Sequence, residues 1–371
     1  MTHRVLLVPG FFAFEALGDI RYFAGVDEAL QQAYRSRGEA VEVHEVATPP
    51  TASIRQRAAR LVDAIARLAS ASEAPIHLVG HSTGGLDARL AIAPTADLPT
   101  ERSSHRAFRE VDSVVTLATP HGGTPLASFF ASVAGKPLLR VLTALAAVIL
   151  ERGELPTKVG LKLVGALSHV DDLLGSGSSL LDELYQGLLR ELTEERRERV
   201  VTLLRDIEED TSLVFQLTPE GVDLLDAATG DPETVRGGSV VTRAKRPGLG
   251  AIKAQGRDVI GQVFQGAYAL LSTIAARAQP EGHSAARRVG LLEARMDDVP
   301  QPEDSDGVVP TRSQPWGHLV SVEDADHLDV VGHYGDPELG TADWLPSESG
   351  FDRAAFDRMW DGIAAFQLED G

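Results

Sequence analysis

Ile76-His77-Leu78-Val79-Gly80-His81-Ser82-Thr83-Gly84-Gly85 joins a short apolar run to a turn of small residues, and residues 85–92 continue it at helical spacing. The Gly80-x-Ser82-x-Gly84 pattern suits a serine held on a sharp strand-to-helix turn. Small residues two places before and after it let the backbone fold that tightly and let a substrate approach. The spacing alone is common; the strand before it and the helix after it give it weight. Gly282-His283-Ser284-Ala285-Ala286 looks alike but lacks the second glycine and any strand before it. The Thr83 amide, at the start of the helix, would face negative charge developing beside Ser82, aided by the helix dipole. Ser82 is thus the candidate nucleophile, in an elbow built from Gly80, His81 and Gly84.

Outward from this turn, strand-like and helix-like patterns alternate. Residues 4–8, 41–46, 76–79 and 111–118 read as strands, and residues 22–37, 53–68 and 85–92 as helices. Such alternation predicts an α/β fold, a mostly parallel central sheet with helices on both faces. Residues 126–228 are almost wholly helical in character, with the charged run 194–199 interrupting one of the helices. Strands are expected again at 239–242, 288–293 and 319–322, a helical stretch at 255–278, and a closing helix at 351–366. The expected organisation is a first core part at 1–124, a helical cap or lid insertion at 125–235 and a core strand at 236–248. A second helical insertion at 249–284 and the remaining core at 285–371 complete it.

Composition narrows the chemistry. The chain has 371 residues, no cysteine and a net charge of −19. Thiol nucleophiles, disulfides and thiolate-held metals are excluded. So large a negative charge repels phosphate backbones, so no nucleic-acid partner is expected. The longest apolar run, residues 141–150, is far short of the roughly 20 residues a membrane span needs. It reads equally as a lid over an apolar groove or as a core helix of the cap. No targeting segment is read, and the expected location is cytoplasmic.

A serine of ordinary acidity needs a histidine to take its proton and a carboxylate to fix that histidine's tautomer. In a fold of this kind the chain order is serine, acid, histidine. That leaves His283, His318, His327 and His333. His327 is preferred because it follows the last expected strand in Asp324-Ala-Asp-His327-Leu-Asp329, whereas His333 is expected several residues into the next helix. Asp306 is preferred over Asp304 as the acid, since Gly307 allows a turn that aims the side chain inward. The second oxyanion donor is assigned to the Phe11 amide in Pro9-Gly10-Phe11-Phe12, and the aromatic density of Phe11, Phe12 and Phe14 suits an apolar acyl pocket.

With these residues on the page, the chain resembles the serine α/β-hydrolases, in particular bacterial triacylglycerol lipases of the Pseudomonas/Burkholderia-like family. The likeness is carried by Pro9-Gly10-Phe11 with Tyr22-Phe23-Ala24-Gly25, by Gly80-His81-Ser82-Thr83-Gly84-Gly85 and by Ala118-Thr119-Pro120-His121-Gly122-Gly123. Leu217-Thr218-Pro219-Glu220-Gly221, Asp306-Gly307-Val308-Val309 and His327-Leu328-Asp329-Val330-Val331 extend it. The resemblance implies an α/β-hydrolase fold and a carboxylic ester hydrolase, with Ser82, Asp306 and His327 as its triad and Phe11 and Thr83 as its oxyanion hole. It also implies a structural calcium near the histidine, with Asp329 as one ligand. The residues themselves mark no second aspartate, and His333 stands where another oxygen ligand is expected, so no metal or other cofactor is read from them. Pro9-Gly10 replaces the family's usual His-Gly, and the insertion after Gly123 is longer than in its compact members. The expected partner is a small-molecule ester or lipid, with transient contact at a lipid interface. Acyltransferase, phospholipase, thioesterase and intracellular polyester depolymerase share this chemistry, and a catalytically silent binding module is the alternative of another class.

Overall fold

A computed structural model describes residues 1–11, 21–100, 109–167, 179–245, 258–277 and 284–369. Phe12, Phe14 and His283 lie outside them.

Six strands form one parallel sheet in the order β2-β1-β3-β4-β5-β6. They are β1 (Thr2–Val8), β2 (Ala40–Glu45), β3 (Ile76–His81), β4 (Ser113–Leu117), β5 (Arg236–Thr242) and β6 (His318–Glu323). Every residue of β3 and β4 is buried, as near-continuous apolar runs demand when both faces of a parallel sheet are covered. Alternating exposure along β2 marks it as the edge. The chain moves outward from β1 to β2, then crosses to β3 and proceeds the other way. A crevice therefore opens above the carboxyl ends of β1 and β3, where open α/β sheets bind ligands.

Helices α1 (Val26–Ser36), α2 (Ile54–Ala71) and α3 (Thr83–Ile92) connect the first strands. Ile54, Ala58, Leu61 and Ile65 form the buried stripe of α2, which packs with α3 on one face of the sheet. Val26, Ala29, Leu30 and Ala33 of α1 cover the other face, together with Phe356, Met359 and Trp360 of the closing helix, which runs from Arg353 to Leu368.

Seven described helices stand between β4 and β5: α4 (Pro125–Ala131), α5 (Gly135–Arg152), α6 (Thr157–Leu167), α7 (Ser179–Leu189), α8 (Glu194–Glu209), α9 (Ser212–Gln216) and α10 (Pro219–Ala228). Val141, Ala144, Leu145 and Val148 of α5 pack against Leu181, Leu184 and Leu188 of α7 in a core of their own. No single described helix is long and apolar enough to cross a membrane; only the pair α4 and α5, bent by 104°, reaches that length together. Between β5 and β6 come α11 (Val259–Ala275) and α12 (Ala285–Glu293), and α13 (Arg353–Leu368) ends the described chain.

Three expectations are corrected. Residues 288–293 form part of α12, not a strand: the buried positions Arg288 and Leu292 are four apart, a helical period. The charged run 194–199 opens α8 rather than breaking a helix. The Thr193 hydroxyl accepts from the Arg196 amide, and Glu194 and Glu195 suit the positive end of the helix dipole. His333 follows a single 3-10 turn, Asp329–Val331, which Gly332 ends at φ 98°.

At the opposite end of the sheet from the crevice, His77 of β3 bonds to His3 (3.0 Å) and Ser113 (2.9 Å). Burial first, then His3 and Arg236, push the His77 pKa down to about 3. The unfolded chain therefore takes up a proton below pH ~6.5 that the folded chain refuses. His77 thus removes about 1.4 kcal/mol of stability per pH unit as the pH falls from there toward 3. His77→Gln keeps hydrogen-bonding capacity without titrating. In urea melts at about pH 7.5 and pH 5, the variant is expected to lose about 2 kcal/mol less than the parent on acidification.

Candidate active site

Ser82 lies between the last residue of β3 and the first of α3, at φ 53° and ψ −127°. An L-residue held there stores about 1–3 kcal/mol of strain, which the surrounding packing must sustain. A Cβ at Gly84 would come within 2.1 Å of the Val8 carbonyl oxygen, so only glycine lets α3 start this close to β1. The elbow read from local spacing is thus enforced by a neighbouring strand.

Asp306 and His327, the residues read from the sequence as acid and base, are brought together. His327 Nδ1 donates to Asp306 Oδ2 at 2.8 Å, leaving Nε2 for the crevice. The Val308 and Val309 amides donate to Asp306 Oδ1 (2.9 and 2.7 Å), and the Thr242 hydroxyl donates to Oδ2 (2.8 Å). Gln314 Nε2 reaches the same oxygen at 3.3 Å. A fully buried carboxylate needs such donors. Gly307, at φ 92°, makes the turn, and a side chain there would strike the Tyr268 ring at 2.5 Å. The His327 amide donates back to the Asp306 carbonyl (3.0 Å), so the two loops are joined through backbone as well. Thr242 and Gln314 escaped sequence reading because they lie 64 and 8 residues from Asp306, on β5 and past a 3-10 turn, with no motif to mark them.

The other histidines do other work. His318 is exposed and accepts from Arg295 at 2.9 Å, while His333 bonds to the Tyr22 carbonyl at 3.1 Å. His121, in the Ala118 to Gly123 segment, contacts Thr116 and Arg89 at 3.1 Å each and stacks on Trp316. That segment continues to Thr124, whose hydroxyl donates to the Val308 carbonyl (2.6 Å) and ties it to the acid loop.

Two buried networks hold the Pro9-Gly10-Phe11 loop, and neither was read from the sequence. His81 Nε2 faces the His327 carbonyl at 2.8 Å, and a carbonyl can only accept, so His81 donates there. Its Nδ1 then accepts from the Tyr22 hydroxyl (2.7 Å), which in turn accepts from the Gly10 amide (2.9 Å). Burial, then His327, keeps the His81 pKa well below the usual histidine value, as this arrangement of a neutral ring requires. The second network centres on Arg57 of α2, fully buried. It pairs with Asp87 of α3 at 2.8 Å and donates to the carbonyls of Pro49 (2.9 Å) and Pro9 (2.6 Å). Burial raises the Asp87 pKa to about 6, with Arg57 opposing.

Ser82, Thr83, Phe11 and His327 line one cavity of about 260 Å³, roofed by Leu139, Leu142, Thr143 and Ala146 of α5. The remaining walls are almost wholly apolar, and the Thr143 hydroxyl is already spent on the Leu139 carbonyl (2.8 Å). The run 141–150 therefore has one face on this cavity and the other in the helical core.

Beside His327, the carboxylates of Asp326, Asp329 and Asp343 offer oxygens within 4.8 Å of one another. Burial and mutual repulsion raise the Asp326 pKa well above the usual range. Burial likewise lifts Asp329 to about 8 and Asp343 to about 6. Asp326 Oδ1 accepts from the Leu328 and Asp329 amides (2.9 and 3.1 Å), whereas Oδ2 has no partner. Three oxygen donors with one orphaned, buried lone pair fit a hard cation. The spacing of Asp343, 14 residues beyond Asp329, hid this set from the sequence.

Residues 2–154, from β1 past the end of α5, match the family model described as "Putative serine esterase (DUF676)". No curated protein sequence matches the chain. Lipase 1 from Pelosinus fermentans superposes with a TM-score of 0.55 at 17% identity, covering 99% of both chains. EstA from Clostridium botulinum gives 0.52 at 18% identity, covering 98% of this chain and 87% of the other. The chain has the α/β-hydrolase fold, and the match over residues 2–154 supports an esterase-like hydrolase.

Proposed function

We propose that the protein is a carboxylic ester hydrolase acting through an acyl-Ser82 intermediate on neutral, lipid-like esters. The observation that carries this reading is the His327–Asp306 bond of 2.8 Å, on a histidine that shares an apolar cavity with the strained Ser82. His327 Nε2 takes the Ser82 proton as its oxygen attacks the ester carbonyl, and returns it to the departing alcohol. A water then attacks the acyl-serine by the same route, releasing the acid and the free serine. The Phe11 and Thr83 amides hold the oxyanion in both halves of the reaction. Arg57 and the Tyr22–His81 relay keep the Phe11 loop set against α3. The −19 charge disfavours anionic substrates and surfaces, in agreement with a neutral ester. The motif likeness to Pseudomonas/Burkholderia-like lipases supports the lipid-like reading. A fluorophosphonate probe is expected to label the protein at Ser82 alone, located by peptide mass spectrometry.

Asp326, Asp329 and Asp343 would hold calcium, which would neutralise these buried carboxylates and brace the loop that carries His327. With free calcium at 100 times its dissociation constant, the fold is expected to gain about 2.7 kcal/mol over the chelated protein. Calorimetry with calcium or chelator checks this, and Asp326→Asn should remove most of the difference. An equal melting temperature under both conditions would count against the site.

A further inference from the structure

Beyond the apolar cavity lies a second, much smaller one of about 20 Å³, and Phe130 of α4, Leu139 of α5 and Val214 of α9 line both. These three side chains are therefore a partition. Leu139 and Val214 are buried, and behind them the small cavity runs to Lys136 and to the Arg140–Glu208 ion pair, half exposed at the surface. From Ser82 outward the order is reacting group, apolar chamber, three-residue wall, small cavity, charged rim.

We propose that this wall sets the length of acyl chain the enzyme accepts, with a limit of about eight carbons. The proposal rests on the ester-hydrolase reading above. An apolar cavity of about 150 Å³ takes one benzene, six carbons, so the 260 Å³ chamber is filled by an acyl chain of that size together with its ester group. Each added methylene that enters apolar surroundings should raise kcat/KM about fourfold, the Boltzmann equivalent of its transfer from water. Past the limit, a longer tail must displace the wall or bend back into the solvent, so the gain per methylene stops and the cost of that displacement lowers kcat/KM.

The small cavity behind the wall, lined also by Leu204 and Ile207, has room for less than one methylene, so a longer chain pushed through would reach Lys136 and break the Arg140–Glu208 pair. An apolar stop backed by a charged exit selects on length rather than on polarity.

The test is kcat/KM on nitrophenyl esters of two to sixteen carbons, each below its aggregation limit. The parent should rise to about eight carbons and fall beyond. Val214→Ala and Leu139→Ala join the two cavities and should raise the ratio of twelve-carbon to four-carbon turnover at least tenfold. Ala146→Leu fills the chamber from α5 and should lower the same ratio. Because each ratio is internal to one variant, a partly unfolded preparation does not distort it. Turnover that is flat or rising to sixteen carbons, or ratios unmoved in all three variants, overturns the wall but leaves the Ser82 reading intact. No turnover of any ester, with no phosphonate label on Ser82, overturns both.

Discussion

Replacing Ser82 with alanine is expected to lower ester hydrolysis by about 10⁴- to 10⁶-fold, the loss typical when the nucleophile of a cooperating triad is removed. Phosphonate labelling should vanish with it. The fold should be unaffected, for a local reason. The Ser82 side chain makes no capping bond to α3, so alanine forfeits none. The backbone at φ 53° is unfavourable to serine and alanine alike. A melting temperature within a degree or two of the parent, with hydrolysis at background, is the expected pair of results. Retained hydrolysis in Ser82→Ala would remove the acyl-serine mechanism.

The second large effect is expected at Arg57, which no motif marks. Arg57→Met leaves the Asp87 carboxylate buried without its cation, and breaking one side of a buried pair costs about 3–5 kcal/mol. It also strips a donor from the Pro9 carbonyl, one residue before Gly10 and two before the Phe11 amide. The two consequences can be separated. Adding Asp87→Leu removes the stranded carboxylate, and apolar replacement of a whole buried pair is often neutral or stabilising, so the double variant should recover most of the lost stability. Its activity should stay down by about 10²-fold, the cost of a roughly 1 Å misplacement of the proposed oxyanion donor, the Phe11 amide. Recovery of activity along with stability would reduce Arg57 to a structural residue. Denaturant melts and kcat/KM on one soluble ester, measured on all three proteins, decide between these outcomes.

Legibility in the sequence followed the range of the forces involved. The six strands were read at or near their places: the inner strands because both faces are buried and the apolar run itself reports it, and β2 at the edge because its residues alternate. The one strand read wrongly, at 288–293, shows the limit of that rule. Its apolar residues are as dense as a strand's, but the buried pair Arg288 and Leu292 lies on one helical face, with Arg288 donating to the His121 carbonyl across the fold. Local hydrophobicity does not say which neighbour a side chain will meet.

What the sequence determined by itself was the set of local turns that short spacing can encode. The Gly80 to Gly85 turn, the Asp306-Gly307 turn and the loop at His327 are each marked by residue type and order within a few positions, although Val8 and Tyr268, far along the chain, are what hold Gly84 and Gly307 to glycine. The tertiary structure alone decided what surrounds them. It brought Thr242 and Gln314 to Asp306, Arg57 to the Pro9 carbonyl, Tyr22 and His81 between Gly10 and His327, and Asp343 to Asp329. It also set three side chains from three helices into one wall. The reason is physical: a buried polar group must find partners wherever the fold supplies them, and a cavity is bounded by whatever packs there. Neither requirement leaves a periodic or short-range trace along the chain.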